Sequence, residues 1–119
     1  MQLPRQAASP LMQPVDQRRF PRFKIEVPIM IISRSAGVLQ GHTLDLSESG
    51  VAAMLKMEVP LGELVELEFE LPYGKVHTHA TARQRSAFRY GFQFVWDQAS
   101  EAVKTTCRQL EREQALFGA

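Results

Sequence analysis

The feature of the sequence that most constrains the fold is a regular alternation of apolar and acidic residues over positions 65–71. Val65, Leu67, Phe69 and Leu71 are apolar, and one glutamate stands between each neighbouring pair. Successive side chains of a β-strand point to opposite faces of its sheet, so this segment predicts a strand with one buried and one solvated face. A strand of this kind is stable only when other strands or helices cover its apolar side. The rest of the chain is therefore expected to supply an antiparallel sheet.

Five further segments show strand periodicity, at positions 23–31, 38–44, 51–56, 76–85 and 90–96. Pro28 interrupts the first segment, which predicts an edge position or a bulge there because proline cannot donate a ladder hydrogen bond. Aromatic residues share one face of the last segment, at Tyr90, Phe92, Phe94 and Trp96. The segment before it carries the small residues Ala80 and Ala82. We expect these alanines to accommodate the rings in a closely packed core.

After Asp97 the period becomes helical, with apolar or small residues at positions 99, 103, 106, 107 and 110. This spacing predicts a helix over about residues 98–116 that ends near Gly118, with Asp97 accepting a hydrogen bond from a first-turn N–H. Six strands followed by one amphipathic helix predict an all-β-dominated fold, a small antiparallel six-stranded β-barrel of split or Greek-key type with a C-terminal α-helix. Residues 1–17, rich in proline and glutamine, predict a flexible tail before a domain at 18–117.

Composition limits the class of protein. A chain of 119 residues with 45% hydrophobic residues is long enough for one domain with its own core and too short for two of ordinary size. Its formal net charge of +1 argues against a broad nucleic-acid-binding surface, so an anion site has to be local. Cys107 is the only cysteine, which excludes an intramolecular disulfide. No apolar run is long enough to span a bilayer, and we expect a cytoplasmic protein.

Two short clusters carry the chemistry. The segment RRFPR at positions 18–22 crowds cations before the first strand, and the segment DLSESG at positions 45–50 places a carboxylate, hydroxyls and a glycine between two strands. Together, in this order, they resemble the PilZ family of cyclic di-GMP receptors, whose signatures are RxxxR, here Arg18 and Arg22, and [D/N]xSxxG. The resemblance implies the family's barrel and a cyclic di-GMP site at its surface.

The resemblance also implies roles for individual residues. Arg18 and Arg22 would contact the phosphates and the Hoogsteen edges of the guanines, with Arg19 as an auxiliary cation, because an arginine fork matches guanine O6 and N7. Asp45 would accept from the base N–H groups or orient an arginine, and Ser47 would approach the same guanine. Gly50 would keep the turn open by taking a positive φ or by leaving room for the ligand. Whether one nucleotide or a stacked pair binds stays open.

The same resemblance implies a signal receptor rather than an enzyme, with no cofactor. Such a receptor binds cyclic di-GMP and relays the signal to a protein partner that controls motility, pili, exopolysaccharide or virulence. A monomer or a weak homodimer is expected. The leading alternative is an interaction adaptor with the same fold and no nucleotide affinity. A weaker alternative is an oligonucleotide-binding barrel, for which the aromatic strand would be a stacking platform. We expect the rings in the core instead, and no DNA or RNA partner.

Other candidate chemistries are weak. His77 and His79 share one strand face, but zinc needs more ligands than two, so we expect solvent-facing histidines and no metal. Ser47 lacks the GxSxG elbow of a hydrolase and an identifiable base, which argues against catalysis. Cys107 lies on the apolar stripe of the helix and is expected in the core.

Overall fold

An antiparallel sheet of seven strands and a C-terminal helix make up the part of the chain that the computed structural model describes, residues 20–95 and 100–118. The strands are β1 (Phe23–Lys24), β2 (Pro28–Ser33), β3 (Gly37–Leu46), β4 (Gly50–Leu55), β5 (Leu64–Leu71), β6 (Gly74–Ser86) and β7 (Arg89–Phe94). Helix α1 (Glu101–Glu113) continues into a π-helical turn, Gln114–Gly118. The six strand segments and the helix that the sequence predicts are all present.

Strands β2 to β7 close into a barrel. The sheet order is β1-β3-β2-β5-β6-β7-β4, and β4 also pairs with β3, which joins the two ends of the row. Gly41 of β3 shows the closure, because it lies opposite Ile29 of β2 on one side and Leu55 of β4 on the other. The short strand β1 is added to the far end of β3. The predicted six-stranded antiparallel barrel is therefore confirmed.

The predicted strand at 23–31 is broken into β1 and β2. At the break, the Thr43 hydroxyl accepts a 2.9 Å hydrogen bond from the Val27 N–H and donates to the Ile25 carbonyl. A side chain of the neighbouring strand thus adds to the two backbone bonds that remain at the break, from the Ile25 N–H to the Leu44 carbonyl and from the Thr43 N–H to the Val27 carbonyl. Pro28 is the first residue of β2, which lies between β3 and β5, so the predicted edge position is wrong. Proline is tolerated at a strand's first residue.

The core lies inside the barrel and under the helix. The alternation at 65–71 behaves as predicted, since its four apolar residues are buried and its glutamates face outward. Ala80 lies opposite Phe94 and Ala82 lies opposite Phe92, and all four are buried. Small and large side chains therefore complement one another across β6 and β7, as predicted. Trp96 lies outside the described residues.

Helix α1 packs beside the turn between β5 and β6. Its N-cap is Ser100, whose hydroxyl accepts a hydrogen bond from the Val103 N–H at 3.3 Å. The prediction that Asp97 caps this helix is therefore wrong. Asp97 itself lies outside the described residues. Val103 and Cys107 are buried in the core, and burial raises the pKa of the Cys107 thiol to about 11. Of the described helices, none combines the length and apolar character needed to cross a bilayer.

Candidate ligand-binding site

A β-bulge places Asp45 on the outer surface of the barrel. Along β3, Leu39 and Thr43 are buried in the barrel, and strict alternation would direct Asp45 inward as well. The register with β4 shifts between Thr43 and Asp45, so that Leu44 is an extra residue. Asp45 then lies opposite Ala52 on the outward face. Bulges are a general means of re-aiming a side chain near a functional site.

Asp45 binds two arginines from different parts of the chain. Arg22 Nη1 lies 2.9 Å from Asp45 Oδ1, and Arg89 Nη2 lies 3.1 Å from Asp45 Oδ2. The Asp45 side chain is 15% exposed, whereas those of Arg22 and Arg89 are 47% and 53% exposed. Each arginine donates to this carboxylate through one of its five N–H groups, so both guanidinium groups retain donors that face solvent. The cluster is a carboxylate that holds two accessible cations.

Ser47 organises the turn at 45–50, which follows Asp45. Its hydroxyl accepts from the Ser49 and Gly50 N–H groups, each at 3.2 Å, and lies 3.0 Å from the Ser49 hydroxyl. The Ser47 N–H also donates to the Gly50 carbonyl at 2.9 Å. Ser47 is 1% exposed. In this structure its hydroxyl therefore fixes the turn, and a direct contact between Ser47 and a ligand stays a prediction.

Gly50 is required by the neighbouring strand. A Cβ at this position would lie 2.2 Å from the Phe92 carbonyl oxygen of β7, far inside contact distance. Gly50 is not among the glycines of positive φ. The predicted positive φ is therefore wrong, and the close approach of the β7 backbone already requires a glycine here. The approach of a ligand to Gly50 stays a prediction.

A groove of about 600 Å³ opens beside the Asp45 cluster. Seven residues line it: Arg22, Ala52, Gln84, Arg85, Ser86, Arg89 and Gly91. Arg85 donates to Glu58 at 3.0 Å and to the Ala87 carbonyl at 2.9 Å, and its guanidinium lies 5.7 Å from the centre of the Tyr90 ring. The groove is thus cationic, with carboxylates paired to its arginines.

The two sequence motifs predicted a common surface for Arg22 and Asp45, but they contain no signal for Arg89. Alternation along β7 does place Arg89 outward, because Tyr90 points into the core. Its contact with Asp45 depends on β4 lying between β3 and β7, which no local pattern reveals. Arg18 and Arg19 lie outside the described residues.

The two histidines of β6 lie on a different surface. His77 Nε2 lies 2.9 Å from Glu66 Oε1 and 3.7 Å from Glu68 Oε2. The hydrogen bond with Glu66 raises the pKa of His77 and lowers the pKa of Glu66. The residues that the structure describes contain no group of three or more side chains able to hold a metal ion.

Comparison with solved structures supports the fold. The motility inhibitor of Bacillus subtilis, MotI (DgrA), superimposes with a TM-score of 0.70 at 16% identity, over 86% of this chain and 53% of that protein. The PilZ domain of Escherichia coli YcgR with c-di-GMP gives a TM-score of 0.57 at 21% identity, over 81% and 87% of the two chains. The PilZ domain of CeSA from a cellulose-synthesizing bacterium gives 0.58 at 16% identity, over 79% and 98%. This chain thus spans about half the length of the Bacillus subtilis protein.

Comparison of the sequence with protein families gives the same result. No curated protein matches the chain. The family model described as PilZ domain matches residues 16–112, a range that includes both sequence motifs. Because this match covers most of the chain, the protein belongs to the PilZ domain family.

Proposed function

We propose that this chain is a receptor for cyclic di-GMP, and that it binds the nucleotide at the surface formed by the Asp45 cluster and the adjoining groove. The observation that carries the proposal is the 2.9 Å ion pair between Arg22 and Asp45. It unites the last arginine of RxxxR with the first residue of DxSxxG, although 23 positions separate them. A guanidinium from the first motif and a carboxylate from the second can therefore contact the same ligand.

The ligand's chemistry matches the groups at this surface. Guanine presents O6 and N7 as acceptors, which an arginine fork meets with two parallel N–H bonds. The ring N1–H and the exocyclic amino group of guanine are donors that a carboxylate such as Asp45 accepts. Phosphates of the ring attract the remaining guanidinium donors of Arg22, with Arg18 and Arg19 as further cations. The groove, at about 600 Å³, lies within the usual range of small-molecule sites.

The site is proposed to bind without turnover. Residues that line the described groove include arginines, a glutamine and a serine, but neither a histidine nor a cysteine. Arginine stays protonated at physiological pH and is a poor general base. Ser47, the hydroxyl of the signature motif, is buried in the turn at 45–50. These features favour recognition of an anion over nucleophilic or acid–base catalysis.

The signal is proposed to reach a protein partner. Arg22 precedes β1, so a nucleotide that engages it changes the surface where the N-terminal segment joins the barrel. We expect ligand to protect the amides of residues 17–24 from hydrogen exchange, because the bound segment is held more firmly. That the Bacillus subtilis neighbour is named an inhibitor of motility is consistent with action through another protein.

The adaptor alternative has one supporting observation. Large apolar side chains are exposed at one end of the barrel, on connections and strand ends away from α1: Met57, Leu61, Leu64 and Phe88. Exposed apolar groups are typical of protein interaction sites. An adaptor without nucleotide affinity would use this end alone.

Calorimetric titration with cyclic di-GMP separates the two functions. We expect the full chain to bind, and Arg22→Asp to abolish binding while the far-ultraviolet spectrum remains that of the wild type and the melting temperature falls by only a few degrees, through loss of the Arg22–Asp45 pair. Arg34→Asp makes the same change of charge at an exposed turn residue between β2 and β3 and is expected to bind normally. Failure of the wild-type chain to bind would favour the adaptor. Unchanged affinity of Arg22→Asp would remove this arginine from the site.

A further inference from the structure

We infer that the end of the barrel away from α1 is a docking surface for a segment of a partner protein that carries apolar side chains flanked by aspartate or glutamate. We name this surface the apolar end, and its exposed apolar side chains are Met57, Leu61, Leu64 and Phe88. The inference rests on the proposed transmission of a signal to a protein, and not on the nucleotide site.

The exposed apolar side chains of this protein are concentrated at the apolar end. Of the seven large apolar side chains that are exposed among the described residues, four lie there, each 46% to 57% exposed. A single exposed apolar side chain is ordinary on a protein surface, whereas a group of them is typical of an interaction site. The concentration at one end therefore calls for a partner that covers it.

Hydrogen bonds fix the connections that carry these side chains. The Leu55 N–H donates to the Phe88 carbonyl at 2.9 Å, which joins the end of β4 to the turn before β7. The Val59 N–H donates to the Tyr90 hydroxyl at 3.0 Å, and the Gly62 N–H donates to a carbonyl of β6 at 2.7 Å. The connection between β4 and β5 is therefore held against β6 and β7. A surface that is already ordered loses little conformational entropy when a partner binds.

The turn between β6 and β7 contains residues that its geometry does not favour. Ser86 and Arg89 are register partners, so Ala87 and Phe88 form a two-residue hairpin loop. Ala87 has a φ of 55°, in the left-handed region where glycine, asparagine or aspartate is usual. Neither an alanine there nor an exposed phenylalanine beside it is explained by the turn. Unfavourable backbone angles are found preferentially at functional sites, and here the function is the presentation of Phe88.

Cations outnumber carboxylates at the apolar end. Residues 55–64 and 81–89 together contain four lysines or arginines and two glutamates. Both glutamates have partners within the protein. Glu58 accepts from an arginine of β6 at 3.0 Å, and Glu63 accepts from two serine hydroxyls in and beside the turn between β2 and β3. The charge that this end presents to another molecule is therefore positive.

Two of these cations are available to a partner. Lys56 and Arg83 are exposed, and neither forms an ion pair with a residue that the structure describes. Complementary charges guide association and select among partners, so carboxylates beside the apolar side chains of a partner fit this surface. The same positive charge opposes contact between the apolar ends of two copies of this chain. The surface thus favours an acidic, apolar segment of another protein over a second copy.

The test uses random peptides displayed on phage as the probe, selected for binding to the full chain. We expect the selected peptides to be enriched in large apolar residues and in aspartate and glutamate. Leu61→Ser and Phe88→Ser each remove an apolar side chain, and each is expected to raise the Kd of a selected peptide by about tenfold or more. Leu116→Ser, at an exposed leucine in the helical turn that follows α1, is the matched control and is expected to leave that Kd unchanged.

Charge is tested with Arg83→Glu, which is expected to raise the Kd of a selected peptide by about threefold or more. Arg108→Glu makes the same change on the exposed face of α1 and is expected to have no effect. Both changed positions are exposed, and the melting temperature of each variant is recorded. Leu61, Arg83 and Phe88 do not line the groove, so these variants are expected to bind cyclic di-GMP as the wild type does.

The outcomes for the apolar end and for the nucleotide site are distinguishable. A selection that yields no binding peptide, peptides without acidic residues, or affinities that folded Leu61 and Phe88 variants retain would each overturn the docking surface while leaving the nucleotide site untouched. A dimer of the full chain that Phe88→Ser dissociates would identify a second copy as the occupant and would also overturn the inference. Loss of peptide binding in these variants supports the surface whether or not the wild type binds cyclic di-GMP.

Discussion

Arg22 donates a 2.9 Å hydrogen bond to Asp45 across 23 positions of sequence. The contact fastens the segment before β1 to the bulged part of β3, where Lys24 and Asp45 are already register partners. Asp45 also binds Arg89 of β7. One carboxylate therefore connects the N-terminal segment, the β3 bulge and the last strand, and the first and last of these supply arginines to the cationic surface.

Removal of this carboxylate is expected to loosen β1. In Asp45→Ala both arginine pairs are lost, and each partly exposed pair contributes about 0.2–1 kcal/mol. We predict that the Lys24 and Ile25 amides exchange with solvent up to about five times faster, the factor that corresponds to loss of one such pair, Arg22–Asp45, which joins this segment to β3. Hydrogen exchange followed by NMR checks this, with Glu48→Ala in the same turn as a control of equal charge. Equal exchange in the two variants would mean that Asp45 does not hold the segment.

Substitution of two glycines is expected to give opposite results. Gly50→Ala forces a Cβ against the Phe92 carbonyl oxygen, and overpacking of this kind costs about 1–3 kcal/mol or more. Gly91→Ala meets only ordinary contacts and is expected to change stability by less than about 1 kcal/mol, in the stabilising direction. Urea unfolding of both variants measures the difference. Similar stabilities would show that Gly50 is not required by the β7 backbone.

Ser47→Ala is expected to destabilise the protein by about 1–3 kcal/mol, because it leaves one buried and one partly buried N–H group without their acceptor. Those groups are the Ser49 and Gly50 amides. Ser49→Ala is the matched control, since Ser49 is only partly buried and water can replace its hydroxyl. Urea midpoints provide the comparison. A stable Ser47→Ala protein that has lost nucleotide affinity would show that this hydroxyl acts on the ligand instead of on the turn.

The His77 and Glu66 pair is expected to depend on pH. Glu66 raises the pKa of His77 above its usual 6.5, so this stabilisation is complete below pH 6.5 and is lost as pH rises through the folded-state value. Glu66 itself has a pKa lowered below 4.5, and its contribution disappears as pH falls through that lowered value. NMR titration of His77 should give a lower pKa in Glu66→Gln than in the wild type. Glu70→Gln, on the same strand, should leave it unchanged.

Local sequence patterns were sufficient for the strands and the helix, because burial of one face imposes a period of two or of 3.6. They were insufficient where a distant residue decides the local structure. The break after β1 depends on the Thr43 hydroxyl, and the outward direction of Asp45 depends on an extra residue in β3. Arg89 reaches Asp45 only through the order of the strands in the barrel. The meeting of the two motifs at Arg22 and Asp45 was therefore predictable, whereas the groove beside them was not.

Arg22, Asp45 and the β7 groove are proposed to form one site for cyclic di-GMP. An amide NMR titration of the full chain tests this proposal, because amides in every strand are observed in the same spectrum. We predict that the resonances of Arg22, Asp45 and Gly91 shift together with a single Kd, while those of Glu68 and His77, on the opposite side of the barrel, stay in place. Shifts confined to the opposite side, or none at saturating nucleotide, would contradict the account.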